Sequence, residues 1–306
     1  MPINGFAIVL RGVTKRYGDL KAVEGLDLEV PRGEILGFLG PNGAGKTTTI
    51  RILAGFLQPT SGTVRLLGYD MAIEKEGLLA RTALGFVPDV AGLDATATGA
   101  WLLDDLAALQ GKPPIDRDAV IEAMEINHRD LQRPMGRLSR GTRQKINIVQ
   151  GLQHRPDVLI LDEPTEGLDP LAKRALFRLL NEARQRGATL FFSSHILSEV
   201  EDLCDRVALI RRGRLVAVDK IATLRANLQR RVDLLLTEPI NIEPRLRALP
   251  GISGINQRDG RWMFAAADLP ALLSLLSDLP VLDVVIEPPS LEDLFMGYYQ
   301  GERSGG

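Results

Sequence analysis

The run Gly40-Pro-Asn-Gly-Ala-Gly-Lys-Thr47 constrains this chain more than any other feature. It fits the spacing G-x-x-x-x-G-K-[ST], follows an apolar strand (Gly33–Leu39) and opens a helical segment (Lys46–Phe56). Gly43 and Gly45 free the backbone to turn its amides inward, which makes a concave nest for phosphate oxygens. The helix behind adds free N–H groups and the positive end of its dipole. Lys46 sets an ammonium toward the terminal phosphates of a nucleotide, and the Thr47 hydroxyl suits Mg²⁺. The whole run (Gly40, Pro41, Asn42, Gly43, Ala44, Gly45, Lys46, Thr47) and the adjoining Thr48 therefore read as a nucleotide-binding loop.

Composition narrows the setting. The 306 residues are 45% hydrophobic and 25% charged with a net charge of −2, the balance of an ordinary globular protein. No global basic surplus argues for nucleic acid, so none is expected as a partner. The single cysteine, Cys204, excludes an internal disulfide framework and reads as a small buried side chain on a helix. The opening lacks a basic segment leading into a long apolar run, so no signal peptide is expected. No stretch nears the roughly 20 apolar residues that span a bilayer. Work on a membrane would need another polypeptide to do the crossing.

Periodicity gives an α/β chain followed by a smaller module. Strands are expected at Phe6–Lys15, Lys21–Val30, Gly33–Leu39, Leu84–Val87, Val158–Leu161, Ala188–Phe192 and Arg206–Ile210, with Tyr17 in the turn between the first two. Helices are expected at Lys46–Phe56, Trp101–Leu109, Ala119–Met124, Ser139–Leu152, Leu171–Arg186 and Leu197–Leu203. The segment 90–153 reads as a helical subdomain within a first domain of residues 1–219. Residues 220–306 carry no chemical motif. Their order of strand (Val232–Leu236), helix (Pro244–Leu249), strands (Ser253–Gln257, Trp262–Ala266), helix (Leu269–Leu279) and strand (Val281–Ile286) suggests a ferredoxin-like α+β module, with a last helix at Leu291–Tyr299.

Two further runs carry chemistry. Val158-Leu-Ile-Leu-Asp-Glu163 puts two carboxylates at the end of a buried strand, the edge where ligands sit in an open α/β sheet. Asp162 would hold Mg²⁺ through water, and Glu163 would polarise the attacking water as general base. A pair of solvated carboxylates opening a loop is the blander alternative. His195 follows a strand in Ser193-Ser-His195, where a neutral imidazole could bond the γ-phosphate and hold water and base in place.

With these residues in order, the chain resembles the ATP-binding subunit of ABC transporters over about seven-tenths of its length, Phe6 to Asp219. Leu138-Ser-Arg-Gly-Thr-Arg-Gln144 is similar to the family's signature motif, Glu166-Gly-Leu-Asp-Pro170 to its D-loop and His195 to its switch histidine. The resemblance implies a P-loop NTPase fold of ABC-ATPase type that binds ATP and Mg²⁺, with Tyr17 stacked on adenine. It also implies that two such subunits, most simply two identical chains, pair head to tail. Ser139 and the Gly141 amide would then bind the γ-phosphate held by the opposite subunit, while Ser139 also caps its own helix. Four residues depart from the family pattern. Arg140 and Thr142 stand where Gly and Gln are commoner, Asp89 stands where a metal-linking glutamine is usual, and Glu166 replaces a small polar residue. Asp89 is shorter and anionic but could still meet metal.

The resemblance implies a transport ATPase at the cytoplasmic face of a membrane, peripheral and driving a separate permease that docks near Asp89 and the helices from Thr96. The arginine in the signature and the C-terminal extension resemble the branch exporting drugs, antibiotics or polysaccharides. The extension reads equally as a dimer-stabilising or regulatory addition. A soluble cassette ATPase acting on ribosomes or DNA is the alternative. Such proteins carry two cassettes or an inserted coiled coil, and neither is found here.

Overall fold

Side-chain alternation shapes the first elements: β1 (Phe6–Tyr17) and β2 (Leu20–Pro31) bury Ile8, Leu10, Val13, Leu26, Leu28 and Val30, and pair antiparallel. Tyr17 lies opposite Leu20, so it ends a strand and does not sit in the connecting turn. β3 (Ile35–Leu39) is buried at every position, as a central parallel strand must be. It starts two residues later than its apolar run suggested. α1 (Lys46–Leu53) follows the glycine loop and stops three residues short of expectation. Gly55 there has a left-handed φ of 78°.

The computed structural model describes residues 5–89, 94–226 and 229–287. After α1 come β4 (Ser61–Leu66), β5 (Tyr69–Asp70) and α2 (Glu74–Thr82), none of which the sequence pattern announced. β4 buries only Val64 and Leu66, and its partner is distant β1, with Ile8 opposite Leu66. β2, β1, β4 and β5 thus form an antiparallel sheet in that order. β6 (Leu84–Val87) runs where expected.

The helical segment holds α3 (Gly99–Gln110), α4 (Arg117–Ala123), α5 (His128–Leu131) and α6 (Arg140–Leu152). Thr98 caps α3 by accepting from the Trp101 amide, and Gly111 ends it at φ 66°. β7 (Val158–Leu161), α7 (Pro170–Gln185), β8 (Thr189–Ser194), α8 (Leu197–Leu203), β9 (Arg206–Arg211) and β10 (Arg214–Lys220) complete the alternation. α9 (Ile221–Ala226) follows.

The second sheet runs β10-β9-β3-β8-β7-β6. Its members from β9 to β6 are parallel, and β10 is an antiparallel edge. One apolar cluster joins Ile8, Leu10 and Leu26 of the antiparallel sheet with Ile50 and Leu53 of α1 and with Phe38, Ile160 and Phe191 of the parallel one. Phe38 and Phe191 meet at 5.0 Å between ring centroids. On the opposite face α8 packs directly on backbone, because a Cβ at Gly37 would lie 2.5 Å from Val200 Cγ1 and 2.9 Å from Cys204 Sγ. Cys204 is accordingly buried, and burial pushes its thiol well up from the usual range.

The chain divides into two compact units, Met1–Ile221 and Ala222–Gly306. The second contains β11 (Arg230–Leu236), α10 (Glu243–Arg247), β12 (Ile252–Arg258), β13 (Arg261–Ala266), α11 (Leu269–Ser277) and β14 (Val281–Glu287). These strands form an antiparallel sheet in the order β12-β13-β11-β14. Its inner face (Val232, Leu234, Trp262, Phe264) packs on Leu246 of α10 and on Leu272 and Leu276 of α11. α10 and α11 each end two residues earlier than read. The helix expected at Leu291–Tyr299 lies outside the described residues.

Candidate active site

The parallel sheet delivers four loops to one edge. The glycine loop leaves the end of β3, Asp162 and Glu163 the end of β7, His195 the end of β8, and Pro88-Asp89 the end of β6. The strand order sets β8 between β3 and β7, so Ser193 and His195 reach the acidic pair from the side of the phosphate loop.

Within Gly40–Thr47 the glycines have different reasons to be there. Gly43 needs its left-handed φ of 78° and has open space where a Cβ would go, whereas a Cβ at Gly40 would lie 2.4 Å from the Ile210 carbonyl oxygen. Gly45 needs both, with φ 108° and the Ala22 carbonyl oxygen 2.6 Å from a Cβ. Gly40→Ala should therefore destabilise the fold by about 1–3 kcal/mol through displaced backbone, and Gly43→Ala by roughly 1–2 kcal/mol of backbone strain alone. Urea midpoints of both variants check this ranking. α1 opens with neither a capping side chain nor an acid in its first turn, so its dipole end faces the loop uncompensated.

Lys46 is only 6% exposed. Its Nζ donates to the carbonyls of Gly40 (2.6 Å) and Pro41 (3.2 Å) and lies 3.2 Å from Glu163 Oε1. That last approach is an ion pair without hydrogen-bond geometry, so buried Oε1 accepts no hydrogen bond. Glu163 Oε2 instead meets His195 Nδ1 at 2.9 Å. Glu163 itself has a φ of 49°, rare for a residue with a side chain and costing about 1–2 kcal/mol.

Ser193, unassigned from sequence, ties the acidic pair together. Its hydroxyl donates to Asp162 Oδ1 (2.9 Å) and accepts from the Glu163 amide (3.0 Å). Burial raises the Asp162 carboxyl above its ordinary range, hydrogen bonds from Ser193 and Thr47 oppose this, and the nearby charges of Glu163 and Asp89 add to the rise. A buried, partly uncompensated carboxylate beside a threonine hydroxyl and a second carboxylate suits a hard divalent cation that keeps water and phosphate ligands. Among the described residues no group of three or more His, Cys, Asp or Glu could by itself enclose a metal.

A cavity of about 620 Å³ opens onto the glycine loop and Glu163. Asn42, Gly43, Gly45, Lys46, Thr47 and Thr48 form its floor, with Asp89, Glu163 and Glu166 on one side. Tyr17, half exposed, lines it with Leu20, Lys21, Ala22, Arg212 and Gly213. The last five went unread in the sequence. The Arg-Arg-Gly-Arg turn offered a signal, since Arg212 and Gly213 both take positive φ and a Cβ at Gly213 would lie 2.8 Å from the Ala22 carbonyl oxygen.

Ser139 and Gly141 do not line that cavity. Ser139 caps α6, its hydroxyl accepting from the Thr142 amide at 3.1 Å and meeting the Thr142 hydroxyl at 2.8 Å. The two unusual residues Arg140 and Glu166 pair with each other, Nη2 to Oε1 at 2.7 Å. Gly141 packs on Gly167, where a Cβ would lie 2.8 Å from the carbonyl oxygen. α6 is fastened to the sheet by Gln144 Nε2, which donates to the Pro164 carbonyl at 2.8 Å, and by the Asn147 amide, which donates to the Pro88 carbonyl.

Known proteins place the chain in a family. Residues 23–166 match a family model described as ABC transporter. The bacitracin transport ATP-binding protein BcrA of Bacillus licheniformis is 42% identical over 67% of this chain and 66% of its own length. The chain thus spans just under two thirds of that relative. The Nod factor export ATP-binding protein I of Burkholderia orbicola is 34% identical over 94% of this chain and 95% of that protein. A solved ATP-binding subunit of an ABC transporter superposes with a TM-score of 0.63 at 28% identity, covering 72% of this chain and 92% of that one. A dimeric ATP-binding cassette bound to ADP and Pi, MJ0796, shares the fold with a TM-score of 0.62 at 21% identity, over 70% of this chain and 98% of that one.

Proposed function

Because the chain belongs to the ABC transporter family and is an ATP-binding, ATP-hydrolysing subunit of it, we propose that it powers a separate membrane permease, in the export direction. The single observation that carries the catalytic part is the cavity in which Lys46, the glycine loop and Glu163 face one another, with His195 bonded to Glu163 from behind. Export rests on the named relatives, which serve bacitracin transport and Nod factor export.

The residues divide the work as follows. Gly40–Thr48 and the α1 terminus hold the phosphates, Lys46 meets their charge, and Tyr17 stacks on adenine. Glu163 takes the proton of the attacking water through Oε1, the oxygen that accepts no hydrogen bond. His195 orients Glu163 through Nδ1. Mg²⁺ would be held by Thr47, Asp89 and Asp162, and when bound it neutralises charge on the phosphates. Ser139 and Gly141, which stand apart from their own chain's cavity, complete that of a second copy.

A second cavity of about 290 Å³, lined by Arg51, Phe56, Phe86 and Pro88, shares Thr47, Asp89 and Asp162 with the metal side of the site. Phe56 is 66% exposed and meets Phe86 with ring centroids 5.2 Å apart and planes tilted by 49°. This groove is where we place the permease helix, at the cytoplasmic face. Among the described residues no helix is long and apolar enough to cross a membrane. We assign residues 1–219 as the ATP-binding domain, with 90–153 its helical part, and 220–306 as an accessory domain, whose βαββαβ order and antiparallel sheet support a ferredoxin-like reading.

The test is co-purification from detergent extracts with a protein of several hydrophobic spans, followed by ATPase assay with and without it. Stable association and stimulated turnover are expected. Full activity with no such partner, alongside capture by ribosomes or DNA, would favour the soluble alternative.

A further inference from the structure

Glu199 is a carboxylate with 1% exposure, in the first turn of α8, and the chemistry above gives it no part. A buried charge is costly unless every oxygen is met. Here each is. Oε2 accepts from the Thr165 hydroxyl at 2.9 Å and from the Ser194 hydroxyl at 2.7 Å, while Oε1 lies 2.9 Å from Lys173 Nζ on α7.

The placement of the two hydroxyls is informative. Thr165 is two residues beyond Glu163, in a turn closed by the Glu166 amide on the Glu163 carbonyl (3.1 Å) and the Leu168 amide on the Thr165 carbonyl (3.1 Å). Ser194 precedes His195, and its oxygen also accepts from the Ile196 amide at 2.9 Å, so His195 is held on both sides. One carboxylate oxygen therefore joins two loops whose tips, Glu163 and His195, must meet at 2.9 Å. Hydrogen bonds to an ionised acceptor are the strong kind, and their geometry is narrow.

We propose that Glu199 is a positioning residue that clamps the Glu163 loop to the His195 loop and so sets the register of base and histidine. The idea rests on Glu163 and His195 acting together in hydrolysis. Lys173 neutralises the clamp from outside, which lets it sit in the interior without disturbing the charge of the reacting groups. A displacement of about an ångström at a catalytic pair can cost roughly a hundredfold in rate. Losing one of the two hydroxyls should cost less.

The measurement is steady-state kinetics and equilibrium binding of a fluorescent ATP analogue, with thermal melting alongside, on the full chain. Thr165→Val removes one hydroxyl at nearly constant shape and is expected to lower kcat by about tenfold, with nucleotide affinity unchanged. Thr165→Ser, which restores the hydroxyl, should return most of the rate. Ser194→Ala should act like Thr165→Val, and the double variant should lose less than the product of the two, since both work through one carboxylate. Glu199→Gln should show the same separation of rate from affinity at larger amplitude. Full kcat in both Thr165→Val and Ser194→Ala would overturn the proposal, and so would equal losses in Thr165→Val and Thr165→Ser. Losses of rate, affinity and melting temperature in step would reduce Glu199 to a support of the fold. Glu163→Gln separates the two levels. If that variant is inactive while Thr165→Val is unaffected, only the clamp is wrong. If Glu163→Gln hydrolyses ATP normally, the assignment of the base fails and the clamp falls with it.

Discussion

Glu163→Gln is expected to bind ATP at least as tightly as the natural protein and to hydrolyse it about 10²–10⁴-fold more slowly. The change removes a proton acceptor while keeping shape. Oε1 is buried, accepts no hydrogen bond and faces Lys46 at 3.2 Å, and Oε2 meets His195 Nδ1 at 2.9 Å. A glutamine oxygen can keep either contact but cannot hold the water's proton. Affinity should not suffer, since the carboxylate repels the phosphates that Lys46 attracts. Single-turnover hydrolysis beside nucleotide binding decides the matter. Unchanged hydrolysis would remove Glu163 from the role of base.

Lys46→Ala should do the reverse and weaken binding first. Its ammonium is 6% exposed and held by two loop carbonyls. In binding it exchanges those partners for phosphate, and truncating a buried, hydrogen-bonded charge costs roughly 2–5 kcal/mol, about 30-fold or more in affinity. The loss also leaves Glu163 Oε1 without its counter-charge, so turnover at saturating ATP should fall too. Calorimetric titration with ATP measures the affinity directly. Wild-type affinity in this variant would mean that the glycine-loop amides and the helix terminus carry binding without the lysine.

Some of the architecture was legible because the physics is local. A short, fully apolar run such as Val158–Leu161 suits a strand buried on both faces, and glycines before Lys46 announce a turn that other residues take only with strain. β4, β5, α2 and β10 were not legible. β4 shows just two buried side chains in six residues, and it is a strand because β1, far back in the chain, offers it a ladder. Element ends drifted by two or three residues: Gly55 marks the end of α1 in the sequence, but the helix already stops at Leu53 so that the chain can make its left-handed turn there.

By itself the sequence determined which side chains to propose for the chemistry: the phosphate loop and acidic pair stand out by local spacing, and His195 by its place one strand after that pair. Only the tertiary structure decided who meets whom. Strand β8 lies between β3 and β7, so Ser193 bonds both Asp162 and the Glu163 amide, and His195 reaches Glu163 across 32 residues of chain. The same folding brings Arg140 to Glu166, so two of the departures from the family pattern satisfy each other. Such pairings depend on strand order and on packing between faces, which are properties of the whole sheet and leave no trace in any local run of residues.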